Sequence, residues 1–72
     1  MDAPAFLELL LDTLQRDEAL TLDMRLADVP EWDSLAAMAV LALADRRFGR
    51  RLSLADFKTL VTVGDLHALL TR

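Results

Sequence analysis

An all-α bundle of four helices, with a long first loop and a short third helix, is the fold class the sequence predicts. Hydrophobic residues make up 54% of the chain and recur at helical rather than strand spacing. Helix-capping signals divide the sequence into four such stretches. At 72 residues there is room for one small core, so residues 1–72 are expected to form a single domain.

The first helix is expected at about 4–17, because Phe6, Leu7, Leu10, Leu11 and Leu14 follow the i, i+3, i+4, i+7 pattern of an amphipathic helix. Pro4 suits its first turn, where a missing N–H costs little, and Asp2 or Ala3 is the expected cap. The stretch from Glu18 to Asp33 has mixed polarity, and Pro30 turns its predecessor away from helical angles, so it reads as a long loop. Leu20, Leu22, Leu26, Val29 and Trp32 suggest that this loop packs down on the bundle. A second helix is expected at 34–48, closed by Gly49. Ser53-Leu54-Ala55-Asp56 and Thr62-Val63-Gly64-Asp65 are short-armed capping boxes that open helices at about 53–60 and 63–71. The last of these should bury Val63, Leu66, Leu69 and Leu70.

Composition excludes most chemistry. There is no cysteine, so there is no disulfide, thiolate nucleophile or sulfur-ligated metal. One histidine and no tyrosine leave few nucleophile–base pairs, and no metal site or catalytic group is expected. A net charge of −4 and a pI near 4.6 argue against nucleic acid or an anionic membrane as partner. Met1-Asp2-Ala3-Pro4 lacks the basic start of a signal peptide, so a cytoplasmic chain is expected. The aspartates at 12, 17, 23 and 28 do not have the order of a calcium loop. His67, beside the apolar face of the last helix, reads as a boundary residue, and Trp32 as packing against the loop and helix two.

Two features of helix two carry information about function. From Ser34 to Ala44 it has no charged residue, although so small a bundle cannot enclose a whole helix. Ala37, Val40, Leu41, Ala44 and Phe48 share one face, assigned to the core. Leu35, Ala39, Ala42, Leu43 and Arg46 are then expected to point outward as a protein-docking strip. The second feature is Asp33-Ser34-Leu35, where the long loop enters that helix. Asp-Ser before a helix is an ordinary cap. A helix N-terminus also favours phosphate, and a serine hydroxyl there is a good attachment point for a phosphate-linked group.

The sequence resembles the phosphopantetheine-attachment domains of acyl carrier and peptidyl carrier proteins. The resemblance rests on Glu31-Trp32-Asp33-Ser34-Leu35, Phe48-Gly49, Leu52, Phe57 and Thr62-Val63-Gly64-Asp65-Leu66 in their order and spacing, and it spans essentially the whole chain. It implies a non-catalytic, acyl-carrier-like bundle modified on Ser34 with 4′-phosphopantetheine, donated from coenzyme A by a phosphopantetheinyl transferase. The cofactor's thiol would carry cargo as a thioester, which accords with a chain that has no cysteine of its own. Asp33 corresponds to the family's acidic residue before the serine, which helps the transferase assemble its metal and coenzyme A site. Leu35 and Met38 fall where relatives touch partner enzymes.

The departures from the family are as informative. Ala36 and Ala39 stand where carriers of the bacterial fatty-acid type are acidic, and the helix ends in Asp45-Arg46-Arg47, with Arg50-Arg51 beyond Gly49. Pro30-Glu31-Trp32 replaces a common leucine-glycine pair. A freestanding, monomeric carrier in a specialised rather than primary fatty-acid pathway is therefore expected. It would be served by a cargo-loading ligase or acyltransferase and by downstream synthase or transferase enzymes, with acyl and aminoacyl cargo both open. One lysine against seven arginines suggests a GC-rich bacterial gene. The alternative is an unmodified interaction module docking through helix two. A DNA-binding role for the arginines has little support without interleaved aromatics.

Overall fold

The computed structural model describes residues 1–72. Its helices are α1 (Ala3–Leu14), α2 (Ser34–Phe48), α3 (Leu54–Phe57) and α4 (Val63–Thr71), with a single 3₁₀ turn at Leu26–Asp28 in the long first loop. None is long and apolar enough to cross a membrane.

Asp2 caps α1, its carboxylate accepting from the Ala5 N–H at 3.0 Å. The helix stops at Leu14, three residues short of the expected 17, because Gln15 turns left-handed at φ 54°. The Arg16 N–H then closes back onto the Leu11 carbonyl at 3.0 Å. Such a conformation costs a non-glycine residue about 1–2 kcal/mol, so nothing in the residue type advertises it. The turn redirects the chain so that the Arg16 guanidinium meets Glu31 at 2.7 Å and the Glu18 carbonyl at 3.1 Å. The end of α1 is thereby tied to the residues just before α2.

The long loop is pinned rather than loose. Leu20, Leu26 and Val29 are buried and Trp32 half-buried, whereas Leu22, expected to pack inward, is exposed. Its backbone pairs with the segment entering α4. The Leu26 N–H donates to Val61 O at 2.9 Å, Val63 N–H to Met24 O at 2.9 Å, and Gly64 N–H to Leu22 O at 2.8 Å. A Cβ at position 64 would lie 3.1 Å from that Leu22 oxygen, so glycine permits the approach.

α2 has the expected bounds, with Gly49 left-handed at φ 64° closing it. α3 is shorter than the expected 53–60. The Asp56 carboxylate accepts from the Ser53 N–H at 2.8 Å and opens the helix. After Phe57 the chain passes into tight turns, with the Leu60 N–H on Phe57 O at 3.2 Å. α4 keeps its bounds and a complete capping box, with the Asp65 N–H on Thr62 Oγ1 at 3.1 Å and the Thr62 N–H on Asp65 Oδ2 at 3.0 Å. The Val61 N–H reaches the same oxygen at 3.0 Å. These backbone bonds from Thr62 and Val61 hold the Asp65 carboxyl below the usual aspartate range.

The core joins Phe6 and Leu10 of α1, Ala37, Val40 and Ala44 of α2, Phe57 of α3, and Val63, Leu66, Leu69 and Leu70 of α4. Leu41 and Phe48 are half-buried against it, in agreement with the face assigned to them. Leu43 corrects the expectation of an outward residue: it is only 6% exposed. It lies at the margin of the buried arc, where a long side chain can fold inward, and it is buried outside the main cluster.

Candidate functional site

α2 sets the geometry of the site. Asp33 is its N-cap, with extended backbone angles, and Asp33 Oδ1 accepts from the Ala36 N–H at 2.8 Å. The Ala37 N–H is taken by the Asp33 carbonyl at 2.9 Å. Ser34, the first helical residue, is exposed, and neither its hydroxyl nor the backbone N–H groups of Ser34 and Leu35 find a partner within the protein. Free N–H groups at the positive end of a helix favour an anion. Asp33 keeps its second carboxylate oxygen unbonded and solvent-facing.

Ser53, the chain's other serine, also stands before a helix but differs in kind. It is itself the cap of a four-residue helix, and its hydroxyl lies 3.3 Å from the Asp56 carboxylate. Ser34 is thus the serine with a free hydroxyl on a long, rigid helix.

Two clefts flank Ser34. One, of about 220 Å³, lies between the end of α1 and the start of α2 and includes Leu14, Asp33, Leu35 and Ala39. The other, of about 300 Å³, lies between α2 and α3 and includes Trp32, Ser34, Leu54, Phe57 and Lys58. Trp32 stacks obliquely on Phe57, ring centres 6.0 Å apart. Its aromatic contact is with α3, and it is half-buried against the core cluster that includes Ala37 of α2. A larger, acidic concavity along α1, lined by Glu8, Asp12, Arg16 and Asp17, contains none of these groups.

The expected docking residues lie together on the outer face of α2. Leu35 is 76% and Met38 56% exposed, and Ala39, Ala42 and Arg46 are exposed along the same stripe. The one ion pair of the molecule is Arg16–Glu31, so the arginines at 46, 47, 50 and 51 make no salt bridge. Arg50 instead donates to the Arg72 carbonyl at 3.1 Å. His67 is half-buried, 4.8 Å from the Phe6 ring and 3.2 Å from the Met1 carbonyl, and its own carbonyl accepts from the Thr71 hydroxyl at 2.7 Å.

Sequence reasoning missed Lys58, Leu54 and the Arg16–Glu31 tie. Lys58 had one available signal, as the chain's single lysine. The tie spans fifteen residues of loop, and no local pattern announces it.

The start of α2 thus brings together an unbonded hydroxyl, an adjoining cleft and unpaired backbone N–H groups. The family model of the phosphopantetheine attachment site matches residues 4–70. No curated protein matches the chain. Among solved structures, the holo acyl carrier protein of Geobacter metallireducens is similar, with a TM-score of 0.74 and 25% identity over 93% of this chain and 78% of that one. With the matching model covering nearly every residue and the helical frame shared, the chain belongs to the phosphopantetheine-attachment family, as a non-catalytic carrier protein that holds 4′-phosphopantetheine covalently.

Proposed function

We propose that residues 1–72 act as one cytoplasmic, monomeric carrier domain, modified on Ser34, which presents thioester-bound acyl or aminoacyl intermediates to the enzymes of a specialised biosynthetic pathway. The observation that carries this is Ser34 itself: an exposed, unbonded hydroxyl at the first position of α2. Attachment would form a bond from Ser34 Oγ to the pyrophosphate phosphorus of coenzyme A that bears the pantetheine, as its bond to the bridging oxygen breaks and adenosine 3′,5′-bisphosphate leaves. The hydroxyl proton would pass to a base of the transferase. When bound, the group supplies the thiol on which cargo is carried.

Each neighbouring residue has a part in this reading. Asp33 fixes the start of α2 with one oxygen and offers the other to the transferase and its metal within the complex. The free N–H groups of Ser34 and Leu35 favour the phosphate. Leu35, Met38, Ala39 and Ala42 give partner enzymes an uncharged landing strip. That strip ends at Arg46, twelve residues on from Ser34 and about 18 Å away at roughly 1.5 Å per residue. A face that is apolar from Leu35 to Ala42, with Asp45 its one exposed acid beside Arg46, supports partners other than primary fatty-acid enzymes. The acidic net charge, −4, supports protein partners over nucleic acid or membrane.

The test is intact-protein mass spectrometry after incubation with coenzyme A and a broad-specificity phosphopantetheinyl transferase. Wild type should gain the mass of one phosphopantetheine and Ser34→Ala none. Equal gain by the variant would overturn the site.

A further inference from the structure

The Ser34 hydroxyl makes no bond within the protein, so its aim is set by how the chain is held where it enters α2. Only Trp32 and Asp33 separate Ser34 from Glu31, and this entry is gripped from two sides. Toward α3, the Trp32 ring rests on Phe57 and its N–H donates to the Val29 carbonyl at 2.9 Å. Toward α1, Arg16 Nη1 donates to Glu31 Oε1 at 2.7 Å, while Arg16 Nε donates to the Glu18 carbonyl at 3.1 Å. This is the one ion pair of the molecule, and the Arg16 side chain is only 9% exposed, so salt screens it weakly. The Glu31 carboxyl is held below the usual glutamate range by its own backbone N–H and then by Arg16, which keeps it charged in neutral solution. The chain accepts strain to make the contact. Gln15, its one non-glycine residue with positive φ, is the turn that delivers Arg16. Such strain persists where its surroundings over-determine it, and it clusters at functional sites. Gln15, Glu31 and Asp33 line the same cleft at the start of α2.

We propose that the Arg16–Glu31 pair positions Ser34 for phosphopantetheine attachment. Both are positioning residues: they act through Trp32 and Asp33 and touch no reactant. This role rests on attachment at Ser34 and goes beyond it, in making the end of α1 part of what determines the rate of transfer. The first turn of a helix is where it frays, so Ser34 gains most from a hold on the chain just before it. Transfer of a phosphoryl group needs the attacking oxygen in line with the leaving one, and a misplacement of about 1 Å can cost on the order of a hundredfold in rate.

The experiment measures transfer from coenzyme A by a broad-specificity phosphopantetheinyl transferase, with the carrier as varied substrate and intact mass as readout. Glu31→Ala should lower kcat about tenfold and leave the KM for the carrier near that of wild type, because the strip on α2 is untouched. A loss of stability alone would act the other way. An unfolded fraction removes competent carrier, which raises the apparent KM and leaves kcat at saturation unchanged. Glu31→Gln, whose amide oxygen still accepts from Arg16, should recover most of the rate. Arg16→Ala should match Glu31→Ala, and the double variant should be no slower than either. An unchanged kcat in Glu31→Ala, equal losses in Glu31→Gln and Glu31→Ala, or losses that multiply in the double variant would overturn the positioning role alone. A mass gain by Ser34→Ala, or none by wild type, would overturn attachment at Ser34 and the positioning role with it.

Discussion

Asp33 and Ser34 divide two tasks between adjacent side chains: the aspartate satisfies the start of α2, and so the serine hydroxyl is left free. Asp33→Ala removes that cap and should destabilise the fold by about 1 kcal/mol. On the proposed function it should also slow transfer to Ser34 far more than a stability loss of that size explains. Thermal melts beside single-turnover transfer rates would separate the two effects. Gly64→Ala is a sharper structural test. Alanine is the better helix former by about 1 kcal/mol. A Cβ there meets a Leu22 carbonyl already fixed by the Gly64 N–H at 2.8 Å, so the melting temperature should fall rather than rise. The Asp33 cap and the exposed position of Ser34 were legible because both are local matters of adjacent residues. Lys58 and the Arg16–Glu31 tie were not, because their meaning arises only when distant segments meet.

α2 and α4 were legible at both ends, since Asp33 and Gly49 bracket one, and Thr62 with Asp65 opens the other. The end of α1 was not, because Gln15 adopts a left-handed turn that its residue type disfavours, and α3 was overextended because an opening signal says nothing about where a helix stops. Leu43 shows the limit of assigning faces by angle alone: at the margin of the arc, side-chain length decides. Two variants test the elements. Thr62→Ala should cost about 1 kcal/mol by removing the α4 cap, read as a lower denaturant midpoint with an unchanged slope. Ala39→Glu, on the exposed stripe of α2, should leave the melting temperature nearly unchanged. It should still cut loading by a partner enzyme roughly tenfold, equivalent to about 1.4 kcal/mol. Loading unchanged by Ala39→Glu would remove α2 from the docking face.

Across the whole molecule, stability is shared by a small core and a few polar ties. A domain of this size is worth on the order of 5 kcal/mol. Leu66, fully buried, should therefore be close to indispensable, since Leu66→Ala is expected to cost about 2–5 kcal/mol and to abolish cooperative unfolding at physiological temperature. Acid should act through Asp65 and Glu31. Asp65 is held low by the Thr62 and Val61 N–H groups, and Glu31 by its own backbone N–H and then by Arg16. A lowered folded value means that their stabilisation is complete above the usual carboxylate range and is lost as pH falls from that range through the lowered folded values. Asp65→Asn should accordingly flatten the fall in melting temperature below the carboxylate range, and an unchanged acid profile would contradict that assignment. The central claim is that phosphopantetheine is attached at Ser34. Its most direct test is fragmentation mass spectrometry of the chain after conversion with coenzyme A and a phosphopantetheinyl transferase. The modification is predicted on Ser34 alone, and finding it on Ser53 or any other residue would contradict the claim.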